Sequence, residues 1–297
     1  AMVDNILGLP REMICEVVRH VDLEGHLALR KVCKTTKEIV DEFACKVATI
    51  PRIIFTERDE DSPRLQIFLN KSTPPLFLLK YMDHVVVQQR RDEQRLVVEM
   101  HRNDFAEFLQ YVHEFVSAAL IESLIFDSCL ENYVEMFASF LDGLTIKERS
   151  HLAYGYAPGK WDIAINTVIA LKIDCVTMGI HKSMEEILQM ADIVDSLVIC
   201  RDALNQQLED PVNQSLSILS KRCSRLTIEW TFLTEEQVNE LIQSIPNLGK
   251  KVYFHSNTKN DVPSRSLKQG SWNFEVAPIG DGFFHRLEIW YDECKEM

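Results

Sequence analysis

The sequence predicts a mixed α/β protein, with a small helical region at its N-terminus and repeated strand and helix segments after it. Three observations support this fold class. In the first fifty positions, apolar residues recur every three or four residues, as in amphipathic helices. β-branched runs then flank polar turns, as in hairpins. Beyond residue 120, short apolar strands recur at intervals of 21 to 35 residues, with helical stretches between most of them.

The first fifty residues are predicted to form three short helices. Pro10 suits an early helical position, because its missing N–H would have no partner there. An apolar stripe follows over Met13–Val21, and further apolar sets lie at Leu27–Cys33 and Ile39–Phe43. A unit this small buries too little surface to be robust alone, so we expect it to need a partner or a neighbouring domain.

This segment resembles the F-box pattern in LPREM, in the apolar pairs up to Val21, in the following DL pair and in LALRKVCK, all in one register. The resemblance implies an F-box domain over residues 1–50 that packs into a small Skp-type adaptor, which links it to a cullin scaffold. The residues expected to bind that adaptor are Leu9, Pro10, Glu12, Met13, Val17, Val18, Val21, Leu23, Leu27, Leu29, Val32 and Cys33.

The sequence departs from the family at Thr36, near which F-box domains often carry a tryptophan. Loss of a buried aromatic ring removes contact area worth on the order of a few kcal/mol, so the departure predicts weaker adaptor binding. It leaves a second function open. The chain would then be a sequestering inhibitor that binds and neutralises a target protein stoichiometrically, without ubiquitination.

Residues 51–119 are predicted to connect two larger parts of the chain. RIIFTE and LQIF flank an acidic turn, and HVVVQQ and RLVVEM flank a second polar turn, which predicts two hairpins. Helical spacing over Asn103–Leu120 then predicts a helix.

Residues 120–297 are predicted to form a degenerate, leucine-rich-repeat-like βα solenoid that binds the substrate. A doubly wound α/β domain would show similar alternation and stays the alternative. Helices are expected at Tyr133–Leu144, Trp161–Leu171, Met184–Ile193 and Glu235–Ile245, with Thr234 as an N-cap, and an extra loop at Trp272–Gly282. The apolar pairs of the repeat are Leu124/Phe126, Leu152/Tyr154, Val176/Met178, Leu197/Ile199, Leu226/Ile228, Val252/Phe254 and Leu287/Ile289, with upstream apolar partners at Ile121, Ile173, Val194, Cys223 and Phe284. Together with the F-box, this region is similar to nematode-type F-box proteins with a C-terminal family-specific homology domain.

The exposed face of the repeat strands is the predicted target-binding surface, because side chains flanking the second apolar position point away from the core. Aromatic and arginine side chains on such a face are typical of interaction hot spots. The residues expected to contact a target are Thr177, Arg201, Glu229, Tyr253, His255, Glu288 and Trp290.

The composition argues against several other classes of protein. A net charge of −13 disfavours nucleic acid and anionic membranes as main partners, and favours a basic target protein. No window approaches the roughly 18–20 apolar residues of a membrane helix. No secretory signal is visible and the cysteines are scattered, so reduced thiols and a cytoplasmic or nuclear location are expected.

The sequence contains no recognisable catalytic motif. Its nine histidines include no HExxH spacing, and there is no phosphate-binding loop and no GxSxG elbow. We therefore expect no cofactor, no metal and no catalysis. The sequence predicts a non-catalytic substrate-recognition subunit of an SCF (cullin-RING) E3 ubiquitin ligase.

Overall fold

A computed structural model shows a mixed α/β protein, as predicted, that divides into two compact units, residues 1–149 and 150–297. The domain boundaries at residues 50 and 119 stay predictions. The structure describes residues 9–21, 28–29, 31–44, 49–57, 63–70, 85–90, 93–99, 102–117, 119–127, 133–152, 161–179, 182–200, 209–280 and 284–294.

Two helices, α1 (Arg11–His20) and α2 (Lys34–Ala44), pack together at the start of the first unit. Their apolar residues recur at helical spacing, so each helix turns one stripe towards the other. In the predicted second segment, Leu27 and Arg30 lie outside the described residues, and Ala28 and Leu29 are the helical positions among those described. The shared core consists of Ile14, Val18, Leu29, Ile39 and Val40.

Among the described residues of the first unit, five strands are joined in one sheet. Both predicted hairpins are confirmed: β1 (Thr49–Glu57) pairs antiparallel with β2 (Pro63–Asn70), and β3 (Val85–Arg90) with β4 (Glu93–Glu99). β4 also pairs with β2, and β5 (Leu120–Asp127) lies parallel to β1. The first strand of the predicted repeat therefore belongs to this unit.

Two helices accompany this sheet, α3 (Arg102–Val116) and α4 (Val134–Leu141). An aromatic cluster forms part of the core beside them. Phe55 stacks on Phe126 with ring centroids 5.4 Å apart, and Phe137 lies 4.5 Å from Phe55. Such ring contacts add stability beyond area burial alone.

The second unit begins with parallel strands in chain order. The last residues of β6 (Thr145–Leu152) pair with β7 (Cys175–Gly179), followed by β8 (Ser196–Cys200), β9 (Arg225–Leu233) and β10 (Tyr253–Thr258). The strand order does not reverse within this series, whereas a doubly wound sheet reverses at its switch point.

A helix precedes each of β7 to β10: α5 (Trp161–Ala170), α6 (Met184–Ala191), α7 (Pro211–Leu219) and α8 (Glu235–Ser244). The predicted helices are confirmed to within a few residues. The Thr234 hydroxyl accepts a hydrogen bond from the Gln237 N–H in a capping box, as the predicted N-cap requires.

Helix α7 was not predicted from the sequence, although its start carries a recognisable signal. The Asp210 carboxylate accepts a hydrogen bond from the Asn213 N–H at 3.2 Å, and Pro211 occupies the first turn. An acidic N-cap followed by proline is a common helix start. The surrounding polar residues obscure the apolar period.

Contacts between neighbouring strand and helix segments of the second unit recur at a spacing of 29 residues. The Lys221 ammonium pairs with Asp192 at 3.0 Å, and the Lys250 ammonium donates to the Lys221 carbonyl at 2.6 Å. The Ser224 hydroxyl likewise donates to the Asp195 carboxylate at 2.6 Å. Positions 192, 221 and 250 are therefore joined in sequence, first by an ion pair and then by a hydrogen bond to a backbone carbonyl.

The end of the second unit differs from the prediction. β13 (Phe284–Tyr291) runs antiparallel to β10, so Leu287/Ile289 is not a seventh parallel repeat strand. β11 (Arg265–Gln269) and β12 (Trp272–Ile279) form an antiparallel hairpin before it. The prediction of a loop is therefore wrong over residues 272–279, and residues 281–282 lie outside the described residues.

Burial alternates along the segment WNFEVAPI, and this explains why it forms a strand. Phe274 and Val276 are buried and their neighbours are not, which is the period of two of a strand with one covered face. Gly270 adopts a left-handed φ of 62°, which lets a two-residue turn join β11 to β12.

Candidate protein-binding surfaces

Helix α1 has two apolar faces, and only one of them is covered within the described residues. Ile14 and Val18 are 4% and 1% exposed in the core shared with α2, whereas Met13 and Val17 are 53% and 38% exposed. Met13 and Val17 are four residues apart and therefore neighbours on the helix surface. We call these two residues, with the exposed Pro10 at the helix start, the α1 stripe.

The predicted adaptor-binding residues fall into separate groups. Glu12 and the α1 stripe are exposed. Val18 and Leu29 lie in the core, so within this structure they hold the helices together and are not available at the surface. Leu23 and Leu27 lie outside the described residues. Half-buried positions are Leu9, Val21, Val32 and Cys33.

Thr36 has a local structural role that its sequence position did not reveal. It is fully buried in the first turn of α2. Its hydroxyl donates to the Cys33 carbonyl at 2.9 Å and accepts from the Cys33 N–H at 3.1 Å, while the Thr36 N–H donates to the Cys33 Sγ at 3.4 Å. The pair is a thiol version of a capping box. The side-chain hydrogen bond from Thr36, followed by the backbone one, lowers the pKa of the Cys33 thiol.

The second unit has a sheet face that its helices leave partly open. Val176, Leu197, Leu226 and Phe254 are fully buried on the opposite side. On the open face, strand register aligns the half-exposed Thr177, Val198, Thr227 and His255 and the buried Glu288 in one row, and the half-exposed Cys175, Ser196, Arg225, Tyr253 and Trp290 in the next. On the core strands β7 to β10, the alternation of side chains therefore follows the prediction. In β6 the prediction is wrong, because the fully buried His151 pairs with Val176, and Leu152 pairs with Thr177 of the open face. Its predicted partner Tyr154 lies outside the described residues.

Tyr253 and Glu288 form the centre of a charged and aromatic cluster on this open face. The Tyr253 hydroxyl lies 3.4 Å from Glu288 Oε1, and Arg286 Nε lies 3.5 Å from the same oxygen. The Arg225 guanidinium stands over the Tyr253 ring at 5.6 Å. Burial, and then the charge of Glu288, raises the pKa of Tyr253. This combination of tyrosine and arginine is typical of protein-binding surfaces.

His255 belongs to the same cluster and is a neighbour of Glu288 across the strand pair. Burial is the main effect on its pKa and lowers it, although the Glu288 charge acts in the opposite direction. Among the described residues, the buried His255 Nε2 has no hydrogen-bond partner. The ring is therefore held mainly in its neutral form.

An apolar patch at the end of this face was not predicted. Phe284 and Ile279 are 46% and 41% exposed and lie opposite each other across β12 and β13. The ring of Phe232 lies 5.2 Å from that of Phe284. We call these three residues the apolar end patch. The repeat pattern predicted Phe284 as the upstream apolar partner of Leu287/Ile289, and this is wrong, because in β13 Phe284 shares the face of Glu288 and Trp290.

The predicted target-binding residues lie largely on this open face. It carries Thr177, Tyr253, His255, Glu288 and Trp290, and all but Glu288 are half-exposed. Glu288 is 7% exposed, so it supports the neighbouring side chains and offers little surface for contact with a partner. Glu229 is half-exposed in β9 at the strand irregularity, and Arg201 lies outside the described residues.

No arrangement suited to metal binding occurs among the residues that the structure describes. Within them, no group of three or more histidine, cysteine, aspartate or glutamate side chains could hold a metal ion. No described helix combines the length and apolar character needed to cross a membrane.

Comparison with known families gives a match to the F-box domain over residues 6–47. The match supports an F-box protein. F-box proteins are generally non-catalytic adaptors, and the domain suggests an adaptor role in ubiquitin ligation through a Skp-type partner.

No curated protein matches the chain as a whole. A crystal structure described as a putative methylase from Haemophilus influenzae aligns with 64% of this chain and 96% of its own at 11% identity. Its TM-score of 0.21 is too low to support a common fold.

Proposed function

We propose that this chain is the substrate-recognition subunit of an SCF-type E3 ubiquitin ligase in the cytoplasm, the nucleus or both. The F-box would bind a Skp-type adaptor and, through it, a cullin scaffold. The second unit would bind a target protein and bring it to ubiquitination and degradation. The observation that supports this proposal best is the α1 stripe. Two apolar side chains are exposed on one helix of a small F-box domain, and a partner protein could cover them.

In this proposal the second unit is a leucine-rich-repeat-like domain of the nematode-type F-box family. The sequential parallel strands and the 29-residue contacts support a repeat arrangement. The open face offers Tyr253, Trp290 and Arg225 as anchors for the target. The net charge of −13 favours a basic target.

Such a subunit acts by bringing the target close to the ubiquitin carrier, and it makes or breaks no covalent bond itself. Holding a target lysine beside a charged ubiquitin carrier raises its effective concentration, and the carrier complex supplies the reactive thioester. No residue of this chain needs to touch the reacting atoms.

The α1 stripe provides a direct test. The double change Met13→Glu and Val17→Glu places two charges in the proposed interface, so we expect affinity for a purified Skp-type adaptor to fall by at least about tenfold. Isothermal titration calorimetry would measure the change.

Ile169→Glu is the matched control, because Ile169 is an exposed apolar helix residue in the second unit. Its adaptor affinity should equal that of the unchanged chain. Adaptor binding that survives the α1 double change, with helix content intact by circular dichroism, would contradict the proposal.

The target surface is tested by Tyr253→Ala combined with Trp290→Ala. We expect a target found by quantitative affinity purification to be lost from this variant while the Skp-type adaptor is retained. Leu267→Ala, at an exposed position of β11, is the control and should retain both. A target that is retained by the double variant would place the binding surface elsewhere.

The alternative function is that of a sequestering inhibitor. The position of Thr36 in the structure does not favour this alternative. Thr36 is buried in the cap of α2, so its first effect is on the packing of the domain. Reconstituted ubiquitination of the bound target separates the two functions. A target that binds stoichiometrically but receives no ubiquitin from the assembled ligase would favour sequestration.

A further inference from the structure

The first unit contains a groove between α3 and α4 that the proposed function does not use. Its volume is about 620 Å³. Leu109 and Phe140 form an apolar floor and are 2% and 4% exposed, and Met136 lies half-exposed beside them. The side chain of Ala106 on α3 is small and exposed, so the groove is open on that side. Apolar side chains of a partner could therefore reach the floor.

The rim of the groove is acidic. Glu135 at the start of α4 and Asp142 at its end are exposed and are the charged residues among the described lining. Gln110 and Ser139 add uncharged polar groups, and no lysine or arginine lies among the described lining residues. A ligand that meets this rim is favoured if it carries positive charge.

One contact holds the two helices in place at the end of the groove. His113 Nε2 donates to the Asp142 carbonyl at 2.7 Å, and the imidazole meets the Phe140 ring edge to face at 6.0 Å. These contacts of His113 join α3 to α4 at this end of the groove.

We propose that this α3–α4 groove binds an amphipathic, basic helical segment of a partner protein. Its leucine-like side chains would pack on Leu109, Met136 and Phe140, and lysine or arginine side chains beside them would pair with Glu135 and Asp142. A helix presents such side chains three and four residues apart, and helix-in-groove recognition works through this spacing. The proposal stands independently of adaptor binding by the F-box.

The test uses the full chain and two labelled peptides of about four helical turns. One peptide carries leucine on one face and lysine on the other, and the second replaces every lysine with glutamate. Fluorescence anisotropy at physiological ionic strength, where weak long-range attraction is screened, measures both affinities. We expect the lysine peptide to bind and the glutamate peptide to bind at least about tenfold more weakly.

Two variants locate the binding. Glu135→Gln with Asp142→Asn removes both rim charges and should weaken binding of the lysine peptide roughly two- to thirtyfold, the range for two exposed ion pairs. Ala106→Trp fills the groove with an indole ring and should weaken it further. Circular dichroism would establish that both variants remain folded.

Matched controls separate the groove from general electrostatic attraction. Glu122→Gln with Glu240→Gln makes the same change in net charge at exposed positions outside the groove, and Ala170→Trp adds an indole on α5. Both controls should bind as the unchanged chain does. Equal weakening by the charge control, full binding by folded Ala106→Trp, or no preference for the lysine peptide would each overturn the proposal.

Discussion

The N-terminal helices and the second unit show two different relations between a core and a binding surface. The helical pair has a core of five buried side chains and leaves Met13 and Val17 exposed on the same helix that supplies Ile14 and Val18. In the second unit, the apolar positions of β7 to β10 are buried, and polar and aromatic residues lie on the other face. A small unit therefore leaves apolar surface exposed, whereas a larger unit can complete its core and keep a separate open face.

The largest expected effect comes from opening the core of the second unit. Phe254 is fully buried in β10, between β9 and β13, so Phe254→Ala should lower the free energy of unfolding by about 3–5 kcal/mol. Urea denaturation would measure the change. Lys259→Ala, at an exposed position beyond the same strand, should have almost no effect. A loss below about 1 kcal/mol for Phe254→Ala would mean that the core is not continuous there.

A smaller effect is expected from the core of the helical pair. Ile39 is fully buried in α2, and Ile39→Ala should cost about 2 kcal/mol, at the low end for such a change because a small core can collapse around the gap. Hydrogen exchange should show faster exchange in α1 and α2 and unchanged protection in β7 to β10. Equal loss of protection in β7 to β10 would show that the two regions do not differ in the way proposed.

The capping pair of α2 should contribute less again. Thr36→Val keeps the shape of the side chain but removes its hydrogen bonds to Cys33, so we expect a loss of about 0.5–2 kcal/mol in stability. The pKa of the Cys33 thiol should also rise towards its ordinary value, which slows alkylation by iodoacetamide at neutral pH.

Thr36→Ser should preserve both properties, because it keeps the hydroxyl. Cys223 provides the opposite case, since burial raises its pKa to about 12 and should protect it from alkylation in every variant. Peptide mass spectrometry would follow both thiols. Cys33 alkylation that is equally fast in Thr36→Val would refute the role of the Thr36 hydroxyl.

The smallest expected effect is the pH dependence at His255. Because burial lowers its pKa in the folded state, protonation favours the unfolded chain. The resulting stability is complete above the unfolded value of about 6.5 and is lost as pH falls through the lower folded pKa. His255→Gln should therefore lose less stability than the unchanged chain on acidification below about pH 6.5, as thermal unfolding would show. Identical pH profiles would mean that His255 is not coupled to folding.

The sequence was informative where a local pattern depends on local physics. β-Branched runs on either side of polar turns predicted both hairpins of β1 to β4, and helical spacing predicted α3, α4, α5, α6 and α8. It failed at α7, where polar residues obscure the apolar period, and at β12, where the spacing of the repeat pattern conflicts with the local alternation. It also misplaced Phe284, because β13 begins at Phe284 and the period of two places this residue on the face opposite Leu287.

The sequence by itself determined the N-terminal F-box pattern, the mixed α/β class and the alternation of buried and open positions on the core strands, because each of these depends on residues close together in the chain. Only the tertiary structure decided which apolar residues of α1 stay exposed, that Thr36 is buried beside Cys33, and that Phe232, Ile279 and Phe284 meet on one face. These features depend on side chains brought together from different segments. Exposure is a property of the packed chain, and no single segment specifies it.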